Sequence, residues 1–159
     1  MTTTPENPIT GDTLLRNVID WLFENARTGV ECPACTRRVK IDAYSIEKGW
    51  IDVLAKVNAN PDEWVHLQEY KTSSRKESLL RHWGLLERQQ GRREDGNPSK
   101  GYYRITERGR RFLRGEERVP RRILTGLGVT RYEDENDLVD VHEAYGHRFH
   151  YDEFMRGEG

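Results

Sequence analysis

The chain's 159 residues are 35% hydrophobic and 33% charged, with four Trp, seven Tyr and four Phe; this supplies one core and fits one ordinary domain or a small domain with appendages. No apolar run approaches the roughly 18–20 residues that cross a bilayer, and the start Met1 to Pro8 lacks the basic and apolar stretches of a secretory signal, which predicts a cytoplasmic protein with no membrane partner. The formal net charge of −1 hides a segregation, with residues 1–35 summing to −3, 36–122 to +8 and 123–159 to −6, and a basic middle between acidic ends points to a polyanion-binding module.

In chain order, residues 1–11 lack apolar periodicity and are expected to be disordered. From Asp12 or Thr13, either of which can cap, Leu15, Val18, Ile19, Leu22 and Phe23 recur at helical spacing and predict an amphipathic helix ending before Thr28-Gly29. The same 12–44 segment holds the turn Cys32-Pro-Ala-Cys35 and, from Thr36 to Asp42, an alternation that suits a short strand. Ser45 is a candidate N-cap for a second helix with Ile46, Trp50, Ile51, Val53, Leu54 and Val57 on its apolar face, stopped by Asn58 to Pro61. Glu63 to Leu67 reads as a short strand. Ser74 caps a third helix that turns Leu79, Leu80 and Trp83 inward and ends at Gly84, where a left-handed residue is needed. Leu85 to Glu87 reads as a strand, Gln89 to Gly101 as a charged loop and Tyr102 to Ile105 as the returning strand. Thr106 then caps a last helix, Glu107 to Arg114, that buries Phe112 and Leu113 and stops at Gly115. In the acidic segment 123–159, Val139, Val141, Tyr145, Phe149, Tyr151, Phe154 and Met155 are the types that dock a tail onto a domain.

This order gives an α+β fold: a winged helix over residues 45–122, an N-terminal helix with a Cys-x-x-Cys turn before it, and an acidic C-terminal appendage after it. Gly84-Leu-Leu-Glu-Arg88, the loop Gly91 to Pro98 and Tyr103-Arg-Ile-Thr-Glu-Arg-Gly109 resemble the signature of MarR-like and PadR-like transcriptional regulators. The chain is also similar to winged-helix proteins of uncharacterised function from tailed bacteriophages, in which a Cys-x-x-Cys turn precedes the domain and a Phe-x-Tyr segment closes the chain. The first resemblance covers roughly half the chain and the second most of it, and both speak to fold more than to function.

The regulator resemblance implies that the helix before the Gly-Leu strand, Ser74 to Trp83, lies in the major groove of duplex DNA. Helical spacing leaves Ser74, Arg75, Ser78, Arg81 and His82 outward; Arg pairs bidentately with guanine edges and Ser meets bases or phosphates, while Lys71 and Lys76 suit the backbone. Around the wing, Arg88, Arg92, Arg93 and Lys100 suit the minor groove or flanking phosphates. A solvated helix face and a loop chosen only to reverse the chain are the competing readings. Arg108, Arg110, Arg111, Arg114, Arg118, Arg121 and Arg122 form a further cluster, expected to pair with Glu107, Glu116 and Glu117 rather than to bind.

Two cysteines cannot build a disulfide framework, but Cys32 and Cys35 on a tight turn make half of a tetrahedral zinc site. His66, His82, His142, His147 and His150 are the candidates to complete a structural zinc, with His147 and His150 at the i, i+3 spacing of a second half-site, or the cysteines of a second copy in a homodimer would do so; an unmetallated knuckle and a redox dithiol are the alternatives. Phosphate-cradling Gly loops, Gly-x-Ser-x-Gly and His-Glu-x-x-His are absent, so the expectation is a DNA-binding regulator and not an enzyme. The rival is a module that engages a host or phage protein through its acidic tail.

Overall fold

The computed structural model describes residues 15–70, 76–146, 151 and 155. The expected N-terminal disorder, the Asp12 or Thr13 cap, and the tail aromatics Phe149 and Phe154 lie outside those residues. In chain order the elements are α1 (Leu15–Asn25), β1 (Val30–Glu31), β2 (Arg38–Val39), β3 (Asp42–Ser45), α2 (Lys48–Asn58) and β4 (Val65–His66). Two 3-10 helices follow, Leu67–Tyr70 and Glu77–Trp83, then β5 (Leu86–Arg88), β6 (Tyr102–Ile105) and α3 (Glu107–Leu113). The remaining named elements are β7 (Val119–Pro120), β8 (Arg122–Gly126), β9 (Val129–Tyr132), β10 (Leu138–Val139) and α4 (Val141–Tyr145). It is a mixed α+β protein with small antiparallel sheets, divided into two compact units: residues 1–45 with 122–133, and 46–121 with 134–159.

In the first unit α1 buries Val18, Leu22 and Phe23 against Ala26, Cys32, Val39, Ile41 and Leu124, the inward face that its helical spacing predicts. Leu15, counted on that face, is instead 71% exposed. The Thr36 to Asp42 alternation resolves into β2, paired with β1, and β3, which forms an antiparallel sheet with β8 and β9 in the order β3-β8-β9. Ser45 pairs with Arg122 in that sheet, so it is no helix cap; α2 starts three residues later, at Lys48, with Glu47 at its N-cap and no side-chain hydrogen bond there.

The second unit is built around α2, whose Trp50, Ile51, Val53, Leu54 and Val57 are buried. It packs against α3, β6, α4 and both 3-10 helices. Strands β4, β6 and β5 form an antiparallel sheet in that order, with β5 and β6 joined by the long charged loop. Gly84 ends the second 3-10 helix in the left-handed region, φ 74° and ψ 16°, which a residue with a Cβ enters only at a cost. A Cβ at Gly109 would collide with the Leu85 carbonyl oxygen, so the spacing of Thr106 and Gly109 serves one tight helix-to-strand approach. The Thr106 hydroxyl accepts from the Gly109 amide at 2.9 Å and donates to the Gly84 carbonyl. Thr106→Ala is therefore expected to cost about 1 kcal/mol or somewhat more in a denaturant melt, as for other N-cap losses; an unchanged midpoint would show the cap to be idle.

Residues 119–121 and the described residues from 134 onward close this unit. β7 pairs with β10, Val139 and Val141 are buried, the Tyr145 hydroxyl donates to Asp52 at 3.0 Å, and the Asn58 side chain donates to the Tyr151 oxygen at 3.2 Å. Burial, together with the bond to and the charge of Asp52, pushes the Tyr145 hydroxyl up to about 12. The docking predicted for Val139, Val141, Tyr145, Tyr151 and Met155 is thus seen at the residues described, with the Met155 sulfur 3.9 Å from the Asn58 amide nitrogen.

Candidate nucleic-acid interface

The helix expected from Ser74 to Trp83 is a 3-10 helix from Glu77, preceded by Lys76 in a non-helical conformation with no side-chain cap. Side chains three apart eclipse in a 3-10 helix, so the buried ridge is Glu77, Leu80 and Trp83. This is why Leu79, expected inside from α-helical spacing, is only half-buried. The neighbouring ridge, Ser78 and Arg81, faces outward: Arg81 is exposed and Ser78 half-buried. Burial and the adjacent Arg81 charge hold His82 below its ordinary range, so at neutral pH the helix presents the guanidinium beside an uncharged ring. Trp83 anchors the element. Its indole N–H donates to the Pro120 carbonyl at 2.7 Å, and its ring lies 6.3 Å from that of Trp50.

Between this helix, β4, β6 and the base of the loop lies a groove of about 500 Å³ lined by His66, Leu67, Gln68, Glu77, Ser78, Arg88, Lys100, Gly101 and Tyr103. It brings together three of the residues predicted from sequence, Ser78, Arg88 and Lys100. Arg81, Arg88 and Lys100 are exposed and form no ion pair with any described residue. His66, on the groove floor, stands edge-on to Tyr102 with centroids 4.9 Å apart. The sequence offers it only as a candidate zinc ligand, because its place at the groove depends on the pairing of β4 with β6.

The loop between β5 and β6 is more wired than its sequence suggests. Arg92 donates to the Gly96 carbonyl at 3.0 Å and is bridged to Pro98. Arg93 lies over the Tyr102 ring, 4.0 Å from its centroid, donates to the Tyr102 hydroxyl at 3.0 Å, and pairs with Asp95 at 3.5 Å. The Asn97 amide, backed by the Arg93 charge, lowers the Asp95 carboxyl. The buried Ser99 hydroxyl donates to the Gln89 and Gly91 carbonyls. Arg92 and Arg93 therefore shape the hairpin, and the uncommitted cations sit at its base. Lys76 is exposed at the start of the 3-10 helix, whereas Lys71, Ser74 and Arg75 lie outside the described residues.

The arginines on and after α3 are ion-paired, those on the helix with the expected Glu107, Glu116 and Glu117 and those after it with carboxylates farther along the chain. Arg108 and Arg111 share Glu117, Arg110 and Arg114 share Glu107, and Arg114 also meets Glu116. Arg118 and Arg121 reach Glu143 and Asp137 of the tail segment, and Arg122 reaches Glu133 within the first unit.

At the Cys-x-x-Cys turn, Cys32 is buried and Cys35 exposed, both free. Burial pushes the Cys32 thiol up, but the amides of Cys35 and Ala34 and the Cys35 side chain together carry it below its ordinary value. Among the described residues no three His, Cys, Asp or Glu side chains gather as a metal cluster, and no helix is long and apolar enough to cross a membrane.

The fold and the site together define an α+β protein whose second unit carries a groove edged by uncommitted cations. No protein-family model, curated protein or solved structure matches the chain.

Proposed function

We propose that the second unit is a winged helix that binds duplex DNA, acting in the manner of a phage or bacterial transcriptional regulator and without catalysis. The sheet order β4-β6-β5 supports this reading, as does the sequence of elements: α2, a short strand, two short helices, a hairpin with a long charged loop, and α3. The observation that carries it is the gathering of Ser78, Arg88 and Lys100 on one groove, next to Arg81, the three cations forming no ion pair with a described carboxylate, while the buried Glu77 also lines the groove. Cations with no ion pair to a described carboxylate are suited to phosphates, which bind by releasing counterions. The Ser78–Arg81 ridge takes the place of the base-reading face.

Described carboxylates of the tail do not compete for these cations. Asp137 and Glu143 pair with Arg118 and Arg121. The wing arginines take a supporting part: losing Arg93 uncovers Tyr102 and loosens the hairpin rather than removing a phosphate contact.

The test is duplex binding by the full-length protein carrying Arg88→Ala and Lys100→Ala, followed by fluorescence anisotropy over a range of salt. Two lost phosphate contacts are expected to flatten the log–log salt slope by about 1.8, at roughly 0.9 per contact, equally for all sequences. Arg81→Ala should instead cost about 1–3 kcal/mol on preferred sequences only. A double variant with the wild-type slope would move the contact elsewhere.

A further inference from the structure

We propose that Cys32 and Cys35 form one half of a tetrahedral zinc site that a second copy of this chain completes. The turn is built as a metal knuckle. Strands β1 and β2 hold its stem in register, Val30 opposite Val39 and Glu31 opposite Arg38. The Cys32 amide donates to the Arg37 carbonyl at 2.7 Å, and the Thr36 amide donates to the Cys32 carbonyl at 2.8 Å. Thr36, a β-branched residue, is held at φ 62°, a conformation that costs energy outside glycine and marks a tip shaped for something other than local stability.

Within that tip Cys32 and Cys35 stand three residues apart on one closed turn, both as free thiols, with Cys35 on the side exposed to solvent. A structural zinc takes four such ligands, at about 2.3 Å for sulfur.

The chain has only these two cysteines, and no third ligand gathers at them among the described residues; His147 and His150, the pair expected from the sequence, lie outside those residues. The missing pair is chemically identical to the pair present, so a two-fold arrangement of two tips supplies it without any further residue type. A four-thiolate zinc centre is net negative. Arg37 and Arg38, both exposed beside the tip, bring the offsetting charge from each copy. Disulfide-exchange chemistry fits less well, since such motifs place the first cysteine at a helix N-terminus, and here Cys35 leads into Thr36 and a strand.

The experiment measures zinc content and mass of the full-length protein, before and after EDTA, alongside Cys35→Ser. Because Cys35 is exposed, that variant keeps the packing of Cys32; far-UV circular dichroism matching the chelated wild type checks its fold. The expected result is one zinc per two chains in a dimer, both lost on chelation and in the variant, and a cobalt-substituted form saturating at half an equivalent with thiolate-to-metal bands. One metal per chain in a monomer would show that the chain closes its own site and overturns the proposal. So would a wild type that holds no more zinc than Cys35→Ser, or a dimer that survives chelation.

Discussion

Replacing Trp83 with Ala is expected to lower the stability of the second unit by about 3–5 kcal/mol, the range for deleting a buried aromatic side chain. The indole is fully buried, lies against Trp50, and satisfies the Pro120 carbonyl through its N–H. An orphaned buried carbonyl adds roughly 1–3 kcal/mol to the loss. With domain stabilities of about 5–15 kcal/mol, the variant should populate unfolded forms at ambient temperature. Trp83→Phe separates the two contributions: it keeps most of the apolar volume but not the donor, so it should fall between wild type and Trp83→Ala in a urea melt. Equal losses for both variants would show that the hydrogen bond, rather than packing, dominates at this position.

Deleting residues 134–159 is the second large effect. Val139 and Val141 are buried, each worth about 1.5–3 kcal/mol. Asn58, itself buried, loses the Tyr151 hydroxyl, and Asp52 loses Tyr145. At about 2–4 °C per kcal/mol for a chain of this size, the melting temperature should fall by on the order of 10–20 °C. The same deletion removes the carboxylates that hold Arg118 and Arg121 and makes the remaining protein more basic, so its non-specific affinity for duplex DNA should rise. An unaltered melt would mean that the tail contributes no packing, and unaltered DNA affinity would mean that its charge screens nothing.

The parts of this architecture that were legible in the sequence are those specified locally. Thr106 and Gly84 announce a cap and a stop because a hydroxyl accepting an amide and a left-handed turn are decided by the residue itself. The helical faces of α1 and α2 follow from periodicity, which is also local. The sheet β3-β8-β9 was not legible, because its partners lie far apart in the chain and Ile123 and Leu124 sit in a stretch that reads as part of an acidic tail. The inward ridge of the 3-10 helix was misjudged for a related reason. Glu77, Leu80 and Trp83 follow a period of three, while Leu79, Leu80 and Trp83 satisfy a period of 3.6, and a seven-residue segment cannot distinguish the two by pattern alone.

At the site, sequence identified the cations but not their commitments. Arg92 and Arg93 look as free as Arg88 and Lys100 until Tyr102, Asp95 and the Gly96 carbonyl are placed beside them. His66 was missed as a groove residue because its position there depends on strand pairing.

The most direct test of the account is the binding of full-length wild-type protein to a random-sequence DNA duplex, measured by fluorescence anisotropy as salt is raised. Cations left unpaired around one groove predict binding at low salt whose logarithm falls linearly with the logarithm of salt, with a slope of at least about −1.8 for two phosphate contacts. No binding at low salt, or binding that salt does not weaken, would contradict it.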